Sequence, residues 1–414
     1  MSELDGKTGH SRRDFLKAGA AALGAAATGR AALAQEGATK VGGKKIRVGV
    51  VGGGFGTSFQ WHEHPDSTVE AVSDLIEERR KRLMSVFKCS KSYNSLEELI
   101  RDPNVDAVAV FTGAPDHVRH CVACMKAGKH VISAVPAAIS IEQAEELLDT
   151  VRKTGLTYMM AETSYYQQPA ISARKFWNEG KFGNIFYTES EYHHAGLETL
   201  WYNGDGSQTW RHSYPPMLYP THCTAFLVGT TGERLVEVSC IGWGNGAEIM
   251  KNNQYNNPFW NETAFFKTDK GHAFRVGIYW YGAHRGIERA QWYGDKMSFF
   301  CPTPNGLGAI IVRSGNQTEK DDAGFTRQLS PFEQYEQPMW WKTDMLPEPL
   351  RHDSGHYGSH TFLTHEFVDA LIHGRKPAID VYEALAYTVP GIIAHKSALE
   401  GGIQLKVPVY APKT

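Results

Sequence analysis

The sequence predicts an α/β protein: an N-terminal Rossmann doubly wound parallel sheet, then an α+β domain with a large, mostly antiparallel open sheet. Three observations predict it. From residue 45 to 163, short apolar runs alternate with stretches of helical periodicity across brief connections, the rhythm of parallel strands joined by crossover helices. The first apolar run, Ile46–Val51, ends in Gly52-Gly53-Gly54-Phe55-Gly56. After Tyr166 the rhythm changes to period-two strands between long loops rich in Gly, Asn, Pro and His.

Residues 1–34 read as an address rather than as fold. Arg12-Arg13 precedes a mildly apolar, Ala-rich stretch from Ala18 to Leu33, and Ala32-Leu33-Ala34 has the small-x-small spacing of a cleavage site. Paired arginines in this setting resemble the twin-arginine export signal, which implies the twin-arginine export machinery as a partner and a periplasmic or otherwise exported location. The stretch is too short and too polar for stable membrane insertion. Residues 35–44 form a Gly/Lys-rich linker.

In the domain at 45–163, strands are expected at Ile46–Val51, Val69–Ser73, Ala107–Phe111, His130–Ser133 and Thr157–Ala161. Helices are expected at Ile76–Phe87, Leu96–Arg101, Val118–Ala127 and Ile141–Thr154, the last with Ser140 as N-cap. A helix is also expected directly after Gly56, its N-terminal end turned toward a bound anion. The domain at 164–414 is expected to open with a helix at Ser172–Glu179. Strands follow at Ile185–Tyr192, Leu235–Gly242, Glu262–Phe266, Ala273–Trp280 and Ile287–Trp292, then amphipathic helices at His360–His373 and Val381–Leu399.

Composition narrows the function. A chain of 414 residues carries two or three domains, and Lys+Arg 43 against Asp+Glu 45 leaves no electrostatic footprint for nucleic acid. The 10 Trp and 18 Tyr concentrate in the second half, where they serve either a carbohydrate site or the core. Six cysteines make no disulfide framework in so long a chain. Cys121 and Cys124 read as buried positions on one helix face, with a redox or metal pair as the alternative.

The Gly-rich turn carries the first chemistry. Gly52, Gly54, Phe55 and Gly56 let the backbone approach a pyrophosphate, and Asp74 closes the second strand where an acid accepts hydrogen bonds from an adenosine ribose, favouring NAD over NADP. Thr57 stands at the third Gly position of the usual fingerprint. Together with Thr112-x-x-x-x-His117 and Ala127-Gly128-Lys129-His130-Val131 leading to Pro136, this order resembles the Gfo/Idh/MocA family of glucose–fructose oxidoreductases and inositol dehydrogenases. The resemblance implies bound NAD(P), a polyol or sugar substrate between two domains, Thr112 and His117 near the cofactor, and a homo-oligomer built on the open sheet. In that family a lysine before the proline serves the catalytic centre; here the position is Val135, which cannot share a proton with a substrate hydroxyl.

Tyr219-Pro220-Thr221-His222, Gly355-His356-Tyr357-Gly358-Ser359-His360, Glu162 and Trp210-Arg211 resemble a branch of that superfamily, the NAD-dependent α-N-acetylgalactosaminidases. The resemblance implies tightly held NAD and cleavage without net oxidation: oxidation at a sugar carbon, elimination of the glycosidic oxygen, hydration and reduction. His222 is then the base for the hydroxyl proton, Tyr219 its neighbour at a helix start, and Glu162 an acid/base or ribose ligand. His356 lies close to the ligand, with Trp210 and Arg211 on the nicotinamide side. Each of these has a bland alternative in the core or a cap. The tyrosine that the branch presents near residues 284–290 is not evident, and Gly286 or a neighbour falls there. His193, His194, His212, His222, His356 and His360 lack the spacing of a metal site, so no metal is expected. The reading is an exported NAD-dependent oxidoreductase-fold enzyme acting on a carbohydrate. A redox-neutral glycoside hydrolase is its specific rival, and a non-catalytic sugar-binding protein the third possibility.

Overall fold

The structure, a computed structural model, describes residues 45–412 except 284, 303–307 and 316; the export-signal segment at 1–34 and the linker at 35–44 lie outside the described residues. The first sheet has six parallel strands: β1 (Ile46–Val51), β2 (Ser67–Ser73), β3 (Ser92–Tyr93), β4 (Ala107–Val110), β5 (His130–Ser133) and β6 (Tyr158–Met160). Their spatial order is β3-β2-β1-β4-β5-β6, so the winding reverses between β1 and β4. That reversal opens the crevice where this topology binds dinucleotides. β4 and β5 are buried along their whole length, as strands covered on both faces must be.

Helices α1 (Glu77–Phe87), α2 (Leu96–Leu99), α3 (His117–Lys126) and α4 (Ile141–Thr154) flank this sheet. Ser140 caps α4 by accepting from the Gln143 amide at 3.2 Å, as its sequence predicts. One expectation fails. The Gly-rich turn runs into a four-residue 3-10 turn, Phe55–Ser58, and no α-helix stands between β1 and β2. Phe59 and Trp61 follow it and are fully buried, with Phe59 stacked on His360. The segment is spent on docking to the helix that carries His360 and Phe367 rather than on a helical crossover.

The second sheet has nine strands. Its centre holds β7 (Ile185–His194), β8 (Leu235–Trp243), β9 (Asn261–Thr268), β10 (Ala273–Tyr279) and β11 (Arg285–Gly294). With β12 (Met297–Cys301), β13 (Ile310–Arg313), β16 (Phe332–Gln334) and β17 (Leu405–Lys406) at its flanks, and a separate hairpin of β14 (Thr318–Lys320) and β15 (Thr326–Gln328) outside it, the order is β16-β13-β12-β11-β7-β10-β9-β8-β17. Every pair is antiparallel except β7 with β10. On the face turned away from the helices, Arg275 bridges Glu189 and Glu191 at 2.9 and 2.7 Å, and Arg289 adds a contact to Glu191 at 2.8 Å.

The other face packs on helices α5 (Gln168–Asn178), α6 (Thr221–Thr231) and α8 (Val381–Leu399), while α7 (Gly355–His373) lies against the Thr163–Tyr166 turn and β1 of the first sheet. α5 starts four residues before the predicted Ser172, with Pro169 inside its first turn, where proline costs no hydrogen bond. α6 is buried on nearly all sides and so has no amphipathic period to read. α8 opens on Asp380, which accepts from the amides of Tyr382 and Glu383. Just before it, the Ile379 carbonyl accepts from the Met160 amide of β6, which ties the end of the chain to the first sheet.

All six cysteines are buried and free. Burial pushes the thiols of Cys121 and Cys301 up to about 12, and those of Cys124, Cys223 and Cys240 well above the usual range. Cys121 and Cys124 thus take the buried-helix reading. Among the described residues, no helix is long and apolar enough to cross a membrane.

Candidate active site

The glycines decide the first part of the site. Gly52 has φ +100°, and a Cβ there would sit 2.2 Å from the Phe111 carbonyl oxygen, so only glycine fits. Gly54 is the opposite case: a Cβ would meet nothing within 4 Å, because the residue faces an open cleft of about 830 Å³. Phe55, Asp74, Thr112, Trp210 and Arg211 line the same cleft. Trp210 lies against Gly113, where a Cβ would be 2.7 Å from its ring, and the Arg211 guanidinium stacks 4.2 Å over the Trp210 ring. The second domain therefore closes one wall of the crevice formed by the first.

Asp74 does more than await a ribose. Its carboxylate accepts from the Gly53 amide at 2.7 Å and from the Ile76 amide at 2.8 Å, holding the Gly-rich turn against the end of β2. Two residues expected to touch the cofactor stand behind the wall. Gly56 lies under Phe111 and donates to the Gly52 carbonyl. His117 is fully buried, its ring between the carbonyls of Pro136 (2.8 Å) and Thr112 (3.0 Å), so it fastens two loops together. An open Gly54 beside a carboxylate-pinned turn and a cleft of this size fit NAD.

Deeper in, Glu162 follows β6 and is fully buried, accepting from the Ser164 amide at 2.8 Å. His222, in the first turn of α6, places Nδ1 3.0 Å from Glu162 Oε1 and 3.2 Å from Ser164 Oγ. Ser164 in turn donates to Glu288 Oε2 at 2.6 Å, and Gln167 donates to the same oxygen. Burial opposes charge on His222, but Glu162 and then Glu288 outweigh it and raise its pKa to about 10. Burial likewise pushes the Glu162 carboxyl up, and the charge and hydrogen bond of His222 bring it net below the usual range. The pair is a buried imidazolium–carboxylate. This pairing weighs against His222 as a ready base, because a charged ring has no lone pair to offer. Nε2 has no hydrogen-bond partner among the described residues, so the ring presents an N–H.

Tyr192 and Tyr219 enclose that ring, with centroids 4.7 and 5.1 Å away. Tyr219 sits between a 3-10 turn, Pro216–Leu218, and the start of α6 at Thr221, just ahead of the helix rather than in its first turn.

His356 approaches from the α7 side. His356 and Tyr357 hold left-handed backbone, φ 50° and 58°, before Gly358 at 84°. Non-glycine residues adopt this only where surrounding structure enforces it. Here Gly358 donates to the Ser354 carbonyl at 3.0 Å, and Gln168 donates to the Tyr357 carbonyl at 3.0 Å. Burial lowers the His356 pKa; Glu288 and Glu162 pull it up and His222 and His194 push it down, leaving the ring neutral at physiological pH. Phe55 touches the His356 ring at 5.6 Å and also lines the nucleotide cleft, so the two parts of the site share a wall.

The remaining histidines scatter. His193 pairs with Glu191 on the far face of the sheet, and His212 meets Tyr202. Among the described residues no three His, Cys, Asp or Glu side chains gather as a metal would need. Sequence reading missed Ser164, Gln167, Tyr192 and Glu288. Glu288 had a signal: it shares its strand face with the buried Ala290 and Trp292, and an inward acid among apolar neighbours needs a partner.

Comparison with known proteins agrees with this geometry. Residues 46–162 match the model of an oxidoreductase family with an NAD-binding Rossmann fold, Gfo/Idh/MocA, and residues 311–413 match the C-terminal domain of glycosyl hydrolase 109. A glycosyl hydrolase family 109 protein of Solibacter usitatus is 26% identical, covering 97% of both chains. Another, from Akkermansia muciniphila, is 26% identical over 90% of this chain and 86% of its own. Among solved structures, a levoglucosan dehydrogenase in complex with NADH and L-sorbose superposes with a TM-score of 0.71 at 16% identity, over 89% of this chain and all of its own. An NAD-binding oxidoreductase from Klebsiella pneumoniae also reaches 0.71 at 16% identity, over 88% and 99%.

Proposed function

We propose, for a chain that joins a Gfo/Idh/MocA nucleotide-binding domain to a glycosyl hydrolase 109 C-terminal domain, that it uses NAD to cleave a glycoside without net oxidation. The observation that carries this reading is the placement of two histidines in unlike surroundings: His222 lies 3.0 Å from the buried Glu162 and is bridged through Ser164 to Glu288, while His356 packs against Phe55 and His360. Glu162 and Glu288 hold His222 as an imidazolium, while burial holds His356 neutral. Titratable groups pushed apart by their surroundings mark an acid and a base. A simple dehydrogenation needs one base for the hydroxyl proton. An elimination also needs a base for a C–H proton and an acid for the departing oxygen.

When bound, NAD supplies a reversible hydride acceptor at a sugar carbon, which makes the neighbouring C–H acidic. His356 Nε2 takes the hydroxyl proton as the hydride leaves, releases it to solvent, and then takes the C–H proton; His222 Nε2–H gives its proton to the glycosidic oxygen as the C–O bond breaks. Water addition then runs the two roles in reverse, so both histidines end as they began. Val135, buried in the core, offers no ammonium for the usual dehydrogenase step, which supports this reading over net oxidation of a free sugar. The carboxylate of Asp74 at the cleft disfavours a 2′-phosphate, so NAD is preferred to NADP. The Arg12-Arg13 segment adds export, and a tightly kept cofactor suits an enzyme working without a nicotinamide pool.

Purified full-length chain, assayed on aryl glycosides in deuterated water, tests this. Cleavage without accumulation of NADH, and deuterium on the carbon beside the one transiently oxidised, are expected. The His222→Ala variant should keep its nucleotide and lose about 10²–10⁴-fold in turnover. Stoichiometric NADH with a keto-sugar, and intact glycosides, would establish the dehydrogenase instead; absence of any bound or titratable nucleotide would leave sugar binding alone.

A further inference from the structure

We propose that His360 is a positioning residue: it fixes the tautomer of His356 and wires that base to the nucleotide loop through the Ser58 carbonyl. The inference rests on the reading of His356 as the base.

The argument is one of donors and acceptors. His360 Nδ1 lies 2.9 Å from the Ser58 carbonyl oxygen, and His360 Nε2 lies 2.8 Å from His356 Nδ1. A carbonyl can only accept, so His360 carries its proton on Nδ1. The buried ring stays neutral, its pKa lowered to about 4 by burial and by His356, so Nε2 is a lone pair. His356 Nδ1 must then donate to it. The proton of His356 is thereby fixed on Nδ1 and its lone pair on Nε2, the reverse of the tautomer that free histidine prefers. His356 Nε2 has no partner among the described residues.

The packing serves the same end. His360 stacks on Phe59 at 4.5 Å with rings 6° from parallel, and Phe55 sets its edge contacts on both histidines at 5.6 and 5.3 Å. Gly355 makes room, since a Cβ there would lie 2.4 Å from His360 Cε1. The left-handed backbone at His356 and Tyr357 carries the first imidazole to the second in place of helical geometry. Ser58 closes the 3-10 turn that follows the Gly-rich loop, and Phe55 opens it. The acceptor that sets the base therefore belongs to the element that takes the cofactor. The charged and titratable groups facing His356 are Glu288 on β11, His222 on α6, Glu162 after β6, His194 on β7 and His360 on its own helix.

The test compares His360→Gln with His360→Phe in full-length, nucleotide-loaded protein. Glutamine keeps both functions, an N–H for Ser58 and an oxygen for His356 Nδ1–H. Phenylalanine keeps the stack on Phe59 and neither hydrogen bond. Histidine ¹⁵N spectra should show His356 protonated on Nδ1 in the parent and the Gln variant, and on both nitrogens in exchange in the Phe variant. An acceptor at Nδ1 favours the charged ring, so its loss should move the acid limb of kcat/KM down by about one pH unit and lower kcat about tenfold. KM and nucleotide content should hold, and the Gln variant should match the parent. A parent His356 protonated on Nε2 would overturn the proposal, as would a Phe variant with the parental tautomer and pH profile. The spectra need no substrate, so an error about the reaction leaves this test standing.

Discussion

Neutralising Glu288 without removing its shape isolates what holds His222 charged. In Glu288→Gln the amide oxygen can still accept from Ser164 and Gln167, so the hydroxyl bridge survives and only the charge is lost. The bridge measures 2.6 Å from Glu288 to Ser164 Oγ and 3.2 Å from there to His222 Nδ1, which separates the charges by roughly 6 Å. Coulomb attraction at that distance is about 3 kcal/mol at an effective dielectric of ~20, equivalent to roughly two pH units. Glu288 is partly exposed, and solvent screening halves that figure toward about one unit. His222 should then lose its proton one to two units earlier. If His222 is the acid, the alkaline limb of kcat/KM moves down by that amount; the acid limb, set by His356, moves down as well because Glu288 also pulls that ring's pKa up, and nucleotide content stays. Proton NMR titration of the His222 ring reads the same shift without a substrate. An alkaline limb and a ring titration both unmoved within ~0.3 units would refute the electrostatic reasoning.

Three further outcomes follow from the geometry. Gly52→Ala should destabilise the fold by more than 2 kcal/mol, with Cβ forced against a carbonyl in left-handed backbone, whereas Gly54→Ala should keep its melting temperature and lose nucleotide; equal melting curves with equal nucleotide content would contradict both. The folded pKa of His222 lies above its unfolded value of ~6.5, so its contribution is full below that pH and is lost as pH rises through about 10. For His360 and His64, lowered to about 4, the contribution is present above ~6.5 and lost as pH falls through 4, so chemical denaturation should show greatest stability near neutrality, with the acid decline shallower in His360→Gln. Lysine at both Arg12 and Arg13 should leave the precursor in the cytoplasm, and mature protein outside the cytoplasm in that variant would remove the export proposal.

The Rossmann half was legible because its information is local. Ile46–Val51 and His130–Ser133 are short apolar runs with turn residues at their ends, and Ser140 announces its helix three residues ahead. The helix after Gly56 was not foreseeable as missing, since what replaces it is a long-range docking of Phe59 and Trp61 on α7. In the second domain the five central strands were readable. Ile310–Arg313 buries Ile311 alone, and Thr318–Lys320 and Thr326–Gln328 are exposed throughout, so none is long enough to produce a pattern. At the site, Glu162, His222 and His356 were visible as residues, but not their charges. Those depend on Glu288, which arrives through strand register 124 residues from Ser164, and on a tautomer chain that no single segment contains.

The six sheltered thiols have a consequence for how this protein meets oxidants. A cysteine reacts as its thiolate, and every one of these is sealed in the folded chain with its ionisation driven upward. The native state thus offers oxidants little thiolate, and none of the six is paired in a disulfide. Alkylation becomes a clock: a thiol reagent gains access only when the segment carrying that cysteine opens. Cys89 beside β2, Cys121 and Cys124 on α3, Cys223 on α6, Cys240 on β8 and Cys301 at the end of β12 (Met297–Cys301) distribute those clocks across both sheets. The order in which they are labelled would record which part of the molecule lets go first.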